Sequence, residues 1–245
     1  MRHNINIKLS IKFKSKWHTG SGEGNLMVDR LIRRDSRNRP FIPGSTLKGV
    51  IRENCEKLSR TLNFNSPLDP HKKDFLTFEK LKSPVDRLFL NSFKESQLFF
   101  RDARLENEPS YNSTLNQSRI CKYRTIGTSK ENHLFTSEYA TSGFSDSMIY
   151  KTEIDGFHEN LLSFSDNEPP YAYCLLIAAI MTTDLIGGDK SVGCGQVDIQ
   201  IEEISYNKDK KSSLKEFLIT IFDYLDNDLY QLSMEEYELS NNCKS

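Results

Sequence analysis

The chain has 245 residues, 37% hydrophobic and 27% charged, ordinary for one globular domain with enough apolar material for a core. Its 33 Lys and Arg against 34 Asp and Glu leave a net charge of −1, which excludes a globally basic nucleic-acid binder and confines any anion site to a local patch. No stretch has the apolar length of a membrane span, MRHNINIKLS at the start has no apolar targeting core, and the five scattered cysteines form no zinc-type CxxC pair or Cys/His cluster, so a reducing cytoplasm is expected.

Ile5, Ile7, Leu9, Ile11 and Phe13 alternate with polar residues, a period of two that predicts a half-buried strand running into Trp17. HTGSGEG (18–24) is too glycine-rich for regular structure and reads as a loop. The chain then runs extended and hairpin-like to Ile42, where Pro43-Gly44 breaks it. A helix is predicted over 45–62, with Ser45 or Thr46 as N-cap and Leu47, Val50, Ile51, Cys55, Leu58 and Leu62 along one stripe. Residues 63–86, with Pro67, Pro70 and Pro84, read as an insertion. A strand is predicted over 98–105, a loop over 106–118, and a protruding polar hairpin over 119–157. The apolar run 172–186 predicts a buried helix, and GGDKSVGCG (187–195) a glycine-rich turn. Val197, Ile199 and Ile201 predict a returning strand. Leu214, Phe217, Leu218, Ile221, Phe222 and Leu225 place an amphipathic helix in a C-terminal extension over about 205–245. The order is βαββαβ-like, in a single α+β domain spanning 1–245.

Five segments carry candidate chemistry. In RPFIPGSTLKGVIR (39–52), Gly44, Ser45 and Thr46 open a helix whose first N–H groups would face outward as an anion site, with Lys48 and Arg52 four apart beside it. Gly49 inside that helix costs about 1 kcal/mol against alanine, which close approach by another backbone such as RNA would explain; the competing reading is a plain capped helix with solvated basic residues. Arg30, Arg33, Arg34, Arg37 and Arg39, interrupted among acids only by Asp35, form either a phosphate track or a solvated loop. Gly187, Gly188, Gly193 and Gly195 with Lys190 either admit a phosphate chain or make a tight helix-to-strand turn; the GK[ST] of a Walker loop is missing. Asp29, with Glu23 and Asp35 near it in sequence, can hold a divalent metal at a scissile phosphate or pair with a neighbouring arginine. His18 is a possible general base or an ordinary loop residue. Lastly, Arg119, Lys122, Arg124, Lys130 and His133 interleave with Tyr123, Phe135, Tyr139 and Phe144, as in a finger wedged against stacked bases or in a plain surface hairpin.

Taken in order, WHTGSGEG (17–24), VDRLIRRD (28–35), RPFIPGSTLKGVIR (39–52), LFL (88–90), LFFRDARL (98–105), RTIGT (124–128), HLFTSE (133–138) and LIGGDKSVGCGQV (185–197) resemble the RAMP superfamily, above all the repeated backbone subunit of type III CRISPR effector complexes. LFL lacks the glycine usual there, and the insertion and the C-terminal helix lie outside the common pattern. The resemblance implies an RRM-like (ferredoxin-like) palm with an inserted thumb β-hairpin and a glycine-rich loop. It implies guide RNA held through its phosphates by the basic and glycine-rich segments, and a thumb inserted between guide and complementary target RNA. At Asp29 it implies a divalent metal, Mg2+, serving endonucleolytic cleavage of that target. The implied partners are the two RNAs, copies of the same chain or other RAMP subunits and further effector proteins, with no membrane. Two alternatives share the scaffold: a non-catalytic guide-binding subunit, and a metal-independent nuclease that processes CRISPR transcripts through His18.

Overall fold

β1 (Arg2–Phe13) is the central strand, because its alternation gives it one apolar and one polar face. Ile5, Ile7, Leu9, Ile11 and Phe13 are all buried, whereas Lys8 is exposed. The computed structural model describes residues 2–62, 83–89, 97–106, 114–123, 125–141, 148–159, 161–163, 168–207, 210–211 and 213–226. β1 pairs antiparallel with β6 (Ile149–Glu159) on one side and β7 (Val197–Tyr206) on the other. The sheet order is β2 (Leu98–Phe100), β6, β1, β7, β8 (Lys210–Lys211), with β3 (Arg104–Leu105) also on β6 and every pairing antiparallel. β4 (Thr114–Lys122) and β5 (Ser129–Ala140) form a separate two-stranded antiparallel sheet.

Helices cover the apolar face. α1 (Gly44–Thr61) buries Leu47, Ile51, Cys55 and Ser59, a stripe with a spacing of four. α3 (Tyr171–Met181) is apolar all round and accordingly almost wholly buried, packed against α1, α2 (Pro84–Phe89) and α4 (Leu214–Asp226). Ile5, Ile7 and Leu9 meet Ile51, Cys55, Leu175 and Phe217 in this main core. Each large apolar side chain buried there contributes about 1.5–3 kcal/mol. The polar face of β1 carries Asn6, bonded to Glu153 and Asp155, and Lys8, paired with Glu203 at 2.7 Å. Exposed pairs of that kind contribute at most about 1 kcal/mol, so the apolar face decides the fold.

A second core lies beyond the C-terminal half of β1. Ile11, Phe13, Trp17, Ile42, Leu47, Tyr150, Ile186 and Val197 pack together there. Trp17 stacks on Phe13 with centroids 4.5 Å apart and meets Tyr150 edge-on. No helix among the described residues is long and apolar enough to cross a membrane.

Several elements depart from the sequence expectations. The hairpin begins at Thr114, inside the stretch expected as a loop, and ends at Ala140; residues 149–157 instead form the body of β6 inside the main sheet. Lys151, Glu153 and Asp155 on the polar face of β6 obscured the buried positions Tyr150, Thr152 and Ile154 between them. The strand expected over 98–105 splits, because Ala103 turns aside to exchange backbone hydrogen bonds with Ile42 at 2.8 and 3.0 Å. Neither Ser45 nor Thr46 caps α1: Pro43 takes the N-cap position without a side-chain cap bond, and the Gly44 N–H donates to Asp102 Oδ1 at 2.9 Å. A Cβ on Gly44 would sit 2.1 Å from the Phe100 carbonyl oxygen, so this glycine answers to β2. Residues 63–82 of the expected insertion, Arg124, Phe144 and residues 227–245 lie outside the described residues.

His3 and His158 face each other across the β1–β6 register, both buried. His158 Nε2–H donates to the Leu88 carbonyl at 3.2 Å, and Nδ1 lies 2.9 Å from the Tyr173 hydroxyl, which donates to the His3 carbonyl at 3.1 Å. Burial pulls His158 from its ordinary 6.5 down to about 4; the charge of His3 adds to this and the Leu88 carbonyl opposes it. Above about 6.5 the imidazole is neutral in folded and unfolded chains alike. Between about 6.5 and 4 only the unfolded chain takes the proton, so stability falls as pH drops through that window, by up to ~3 kcal/mol. Urea midpoints should therefore fall more steeply between pH 7 and pH 4.5 for the wild type than for His158→Phe; equal slopes would assign the acid sensitivity elsewhere.

Candidate functional site

The chain leaves β1 as Lys16-Trp17-His18 and is held on both sides. Trp17 exchanges two backbone hydrogen bonds of 2.9 Å with Ala140 of β5. On the other side, the Gly195 N–H donates to the Lys16 carbonyl and the Gly188 N–H to the His18 carbonyl, each at 2.8 Å. The loop carrying Asp29 and Arg30 pairs with β5 in turn: Asp29 N–H donates to the Thr136 carbonyl, and Glu138 N–H to the Arg30 carbonyl, each at 2.9 Å. These segments and the start of α1 enclose a cleft of about 440 Å³ lined by His18, Glu23, Asp29, Arg30, Thr46 and Gly188, among others.

Asp29 is exposed at this cleft and enters no ion pair among the described residues. Its Oδ2 accepts the Thr136 N–H at 2.7 Å, which fixes the carboxylate and leaves Oδ1 without a hydrogen-bond partner among the described residues. Glu23 lines the same cleft. Asp35 does not: its carboxylate accepts the backbone N–H groups of Arg37 and Arg39 and the Arg39 guanidinium. Burial pushes the Asp35 carboxyl up, but those bonds outweigh it and hold the group below its usual range. Among the described residues no three His, Cys, Asp or Glu side chains converge on one point. One fixed carboxylate with a spare oxygen still fits Mg2+, which keeps several waters and takes substrate phosphate oxygens alongside one or two carboxylates. His18 is buried, and its Nδ1–H donates to the Glu138 carbonyl at 2.7 Å, so a neutral ring carries its lone pair on Nε2.

The arginine strip is largely matched by internal carboxylates. Arg34 pairs with Glu138 at 2.5 Å, Arg39 with Asp35 at 2.9 Å and Arg30 with Asp189 at 3.5 Å. Arg33 is exposed and has no side-chain partner among the described residues. Of the glycines at 187–195, Gly187 packs against the His18 carbonyl. Gly195 combines a φ of +82° with a Cβ position 2.1 Å from the Ile186 carbonyl oxygen, so no other residue fits there without a backbone shift. Gly188 sits at the cleft beside Arg30, and Gly193 faces open space. On α1, Ser45 and Gly49 are exposed, and Thr46 lines the cleft. Burial, with the charge of Arg52 behind it, lowers the Lys48 pKa. Arg52 donates to Glu56 at 2.9 Å. Lys190 begins the 3-10 turn after Gly187-Gly188-Asp189, and Lys130 lies half-buried on β5 toward the hairpin tip.

Glu138 and Asp189 were not legible as site residues. Glu138 looks like one acid in a polar strand, yet it is buried and takes the Ile32 N–H at 3.1 Å as well as Arg34. Asp189 collects Arg30, Arg119 at 3.4 Å and the Tyr139 hydroxyl at 2.5 Å. Burial pushes the Asp189 carboxyl up, but Tyr139, Arg30 and Arg119 outweigh it and hold the group below its usual value. The one available signal was an acid inside an otherwise basic, glycine-rich loop.

This is an α+β protein whose antiparallel sheet, hairpin and glycine loop meet at one cleft. A chain in the cryo-EM structure of type III-B Cmr-beta in the apo state is similar to it, with a TM-score of 0.51 and 14% identity over 80% of this chain and 97% of that one. A chain of Cmr-beta bound to cognate target RNA gives a TM-score of 0.52 at 14% identity, over 80% and 96%. No curated protein matches the sequence. The RAMP superfamily matches over residues 10–198, from within β1 to the start of β7, and the chain belongs to that superfamily.

Glu138 holds Ile32 and Arg34 from a buried position, so removing it strands the buried Ile32 N–H and takes the counter-ion from Arg34, which keeps Asn38 and Thr114 as partners. Glu138→Ala should cost about 2–3 kcal/mol in urea unfolding; a change within experimental error would mean that water replaces the carboxylate without loss.

Proposed function

We propose that the chain is a backbone subunit of a type III CRISPR effector complex that binds guide RNA and cleaves complementary target RNA in a metal-dependent reaction at Asp29. The observation that carries this reading is the Asp29 carboxylate itself. It lines the cleft, is oriented by the Thr136 N–H and has no arginine on it among the described residues. Membership of the RAMP superfamily and the likeness to chains of Cmr-beta, one of them solved with cognate target RNA, support the choice of partners.

In this reading the β2–β6–β1–β7 sheet with its helices is an RRM-like palm, and β4–β5 is the thumb. Exposed Ile120, Ile126, Leu134 and Tyr123 on the hairpin suit insertion beside bases. Arg33, Lys48, Arg52, Lys190 and Lys130, with Arg30 at the cleft, supply the charge for phosphates, and Arg34, tied to Glu138, orders the strip beside them. Gly44, Ser45, Thr46 and the glycines of 187–195 shape the backbone against which the RNA lies; Arg124, outside the described residues, is added to the RNA contacts by the sequence resemblance alone. Asp29, with Glu23 beside it, would hold Mg2+, which supplies neutralisation of the charge that develops at the scissile phosphate. Asp29 acts by staying fixed: its hydrogen bond to β5 couples the carboxylate to the strand that positions the target. Copies of the chain along one guide would repeat the cleft at a regular spacing.

The test is to assemble the complex on guide RNA and follow labelled complementary RNA with Mg2+ or EDTA, for wild type and Asp29→Ala. The expected result is Mg2+-dependent cuts at regular spacing, slowed by about 100-fold or more in Asp29→Ala with target affinity kept. Tight target binding without cuts in the wild type would leave a non-catalytic guide-binding subunit. Cuts that persist in EDTA would move the chemistry to His18.

A further inference from the structure

Asp29 and Arg30 are neighbours in sequence and both line the cleft, yet the carboxylate and the guanidinium do not pair. An arginine beside an exposed carboxylate ordinarily competes with any cation for it. Here the guanidinium is drawn the other way, Nη1 lying 3.5 Å from Asp189 Oδ1. Asp189 sits in the left-handed region at φ 58°, which an aspartate tolerates better than most residues. That turn brings its carboxylate between the Asp29 loop and the hairpin. Arg119 of β4 reaches Oδ2 at 3.4 Å, and the Tyr139 hydroxyl of β5 donates to the same oxygen. Arg119 also lies over the Tyr139 ring, 5.3 Å from its centroid. Three elements distant in sequence are thus tied to one carboxylate. Partly exposed ion pairs of this length add little stability, so their consequence is orientation.

We infer that Asp189 is a positioning residue that draws the Arg30 guanidinium away from Asp29 and so keeps Asp29 open to a divalent cation. The inference rests on the metal-dependent reading of Asp29 and adds to it the residue that preserves the site's affinity. Asp189 touches neither metal nor RNA in this role. Neutralising it releases Arg30, which then pairs with Asp29 and competes with the cation.

The test uses the guide-loaded assembly and Mn2+ as the probe, with free Mn2+ followed by its EPR signal and the Asp29→Ala assembly defining the Asp29-dependent site. Asp189→Asn should weaken that site about tenfold, and raise by a similar factor the Mg2+ concentration for half-maximal cutting, with target RNA affinity unchanged. Adding Arg30→Gln to Asp189→Asn should restore the Mn2+ affinity, which a merely structural defect would not allow. Arg30→Gln alone should leave Mn2+ affinity within about twofold of wild type, and this arm stands even where Asp189→Asn fails to assemble. An unchanged Mn2+ affinity in Asp189→Asn, a loss that Arg30→Gln does not reverse, or a tenfold loss in Arg30→Gln alone would each overturn the inference. An assembly that binds Mn2+ at Asp29 but never cuts RNA would sink the nuclease reading and leave this inference standing.

Discussion

Three residues, Lys16 to His18, hold the cleft together. Their backbone is bonded to the hairpin through Ala140 and to the glycine loop through Gly188 and Gly195. The Trp17 side chain, fully buried between Phe13 and Tyr150, pins the same segment to the second core. A large aromatic locked by stacking has few rotamers open to it, so the strands bonded to its backbone inherit that rigidity. The Asp29 loop then attaches to β5, so Asp29 is placed by two successive pairings, Trp17 with Ala140 and the Asp29–Arg30 loop with Thr136 and Glu138. A metal or phosphate site needs placement within a fraction of an ångström, and a loop secured in this way can supply it.

Electrostatics in a nearly neutral chain works by selective matching. Arg34 and Arg39 each have a partner that is itself buried, and separating such a pair would leave a carboxylate uncompensated in a poorly solvated place. Both are fixtures of the loop. Arg30 and Arg119 share one carboxylate at longer range, and pairs of that kind are worth at most about 1 kcal/mol, so Asp189 sets where the two guanidiniums point more than how firmly the loop is held. Arg33, without a side-chain partner among the described residues, is the member of the strip most readily given to a phosphate. The five-arginine run is thus part scaffold and, under the proposed function, part binding surface.

Glycine shows the same division. Gly44 and Gly195 each face a backbone carbonyl within 2.1 Å of where a Cβ would stand, and both are explained inside the chain. Gly49 and Gly193 have open space around them, but Gly193 stands in the left-handed region at φ 80°, which glycine adopts most readily, so of these four only Gly49 is left without a reason inside the chain. Sequence spacing treats all four alike, because a missing side chain carries no record of what occupies its place.

β1, α1, α3 and α4 were legible in the sequence because each writes its environment into a local period: alternation in β1, a spacing of four in α1, continuous apolarity in α3 and an amphipathic stripe in α4. The hairpin was legible as a polar extended region but not in its bounds, because β6 keeps charged residues on its polar face and its burial depends on β1 beside it. Asp29, His18, Thr46 and Gly188 were each picked out separately, and the fold brings them to one cleft. The pairing of Asp35 with Arg39 is local, four residues apart, but that Asp29 is held by Thr136 and that Asp189 joins Arg30, Arg119 and Tyr139 was decided by tertiary structure alone. The sequence by itself determined which residues are apolar, charged or flexible and at what period. Which charge meets which was settled only by folding, because an ion pair between residues more than a hundred positions apart leaves no local pattern, and its partners are chosen by the strands that carry them together.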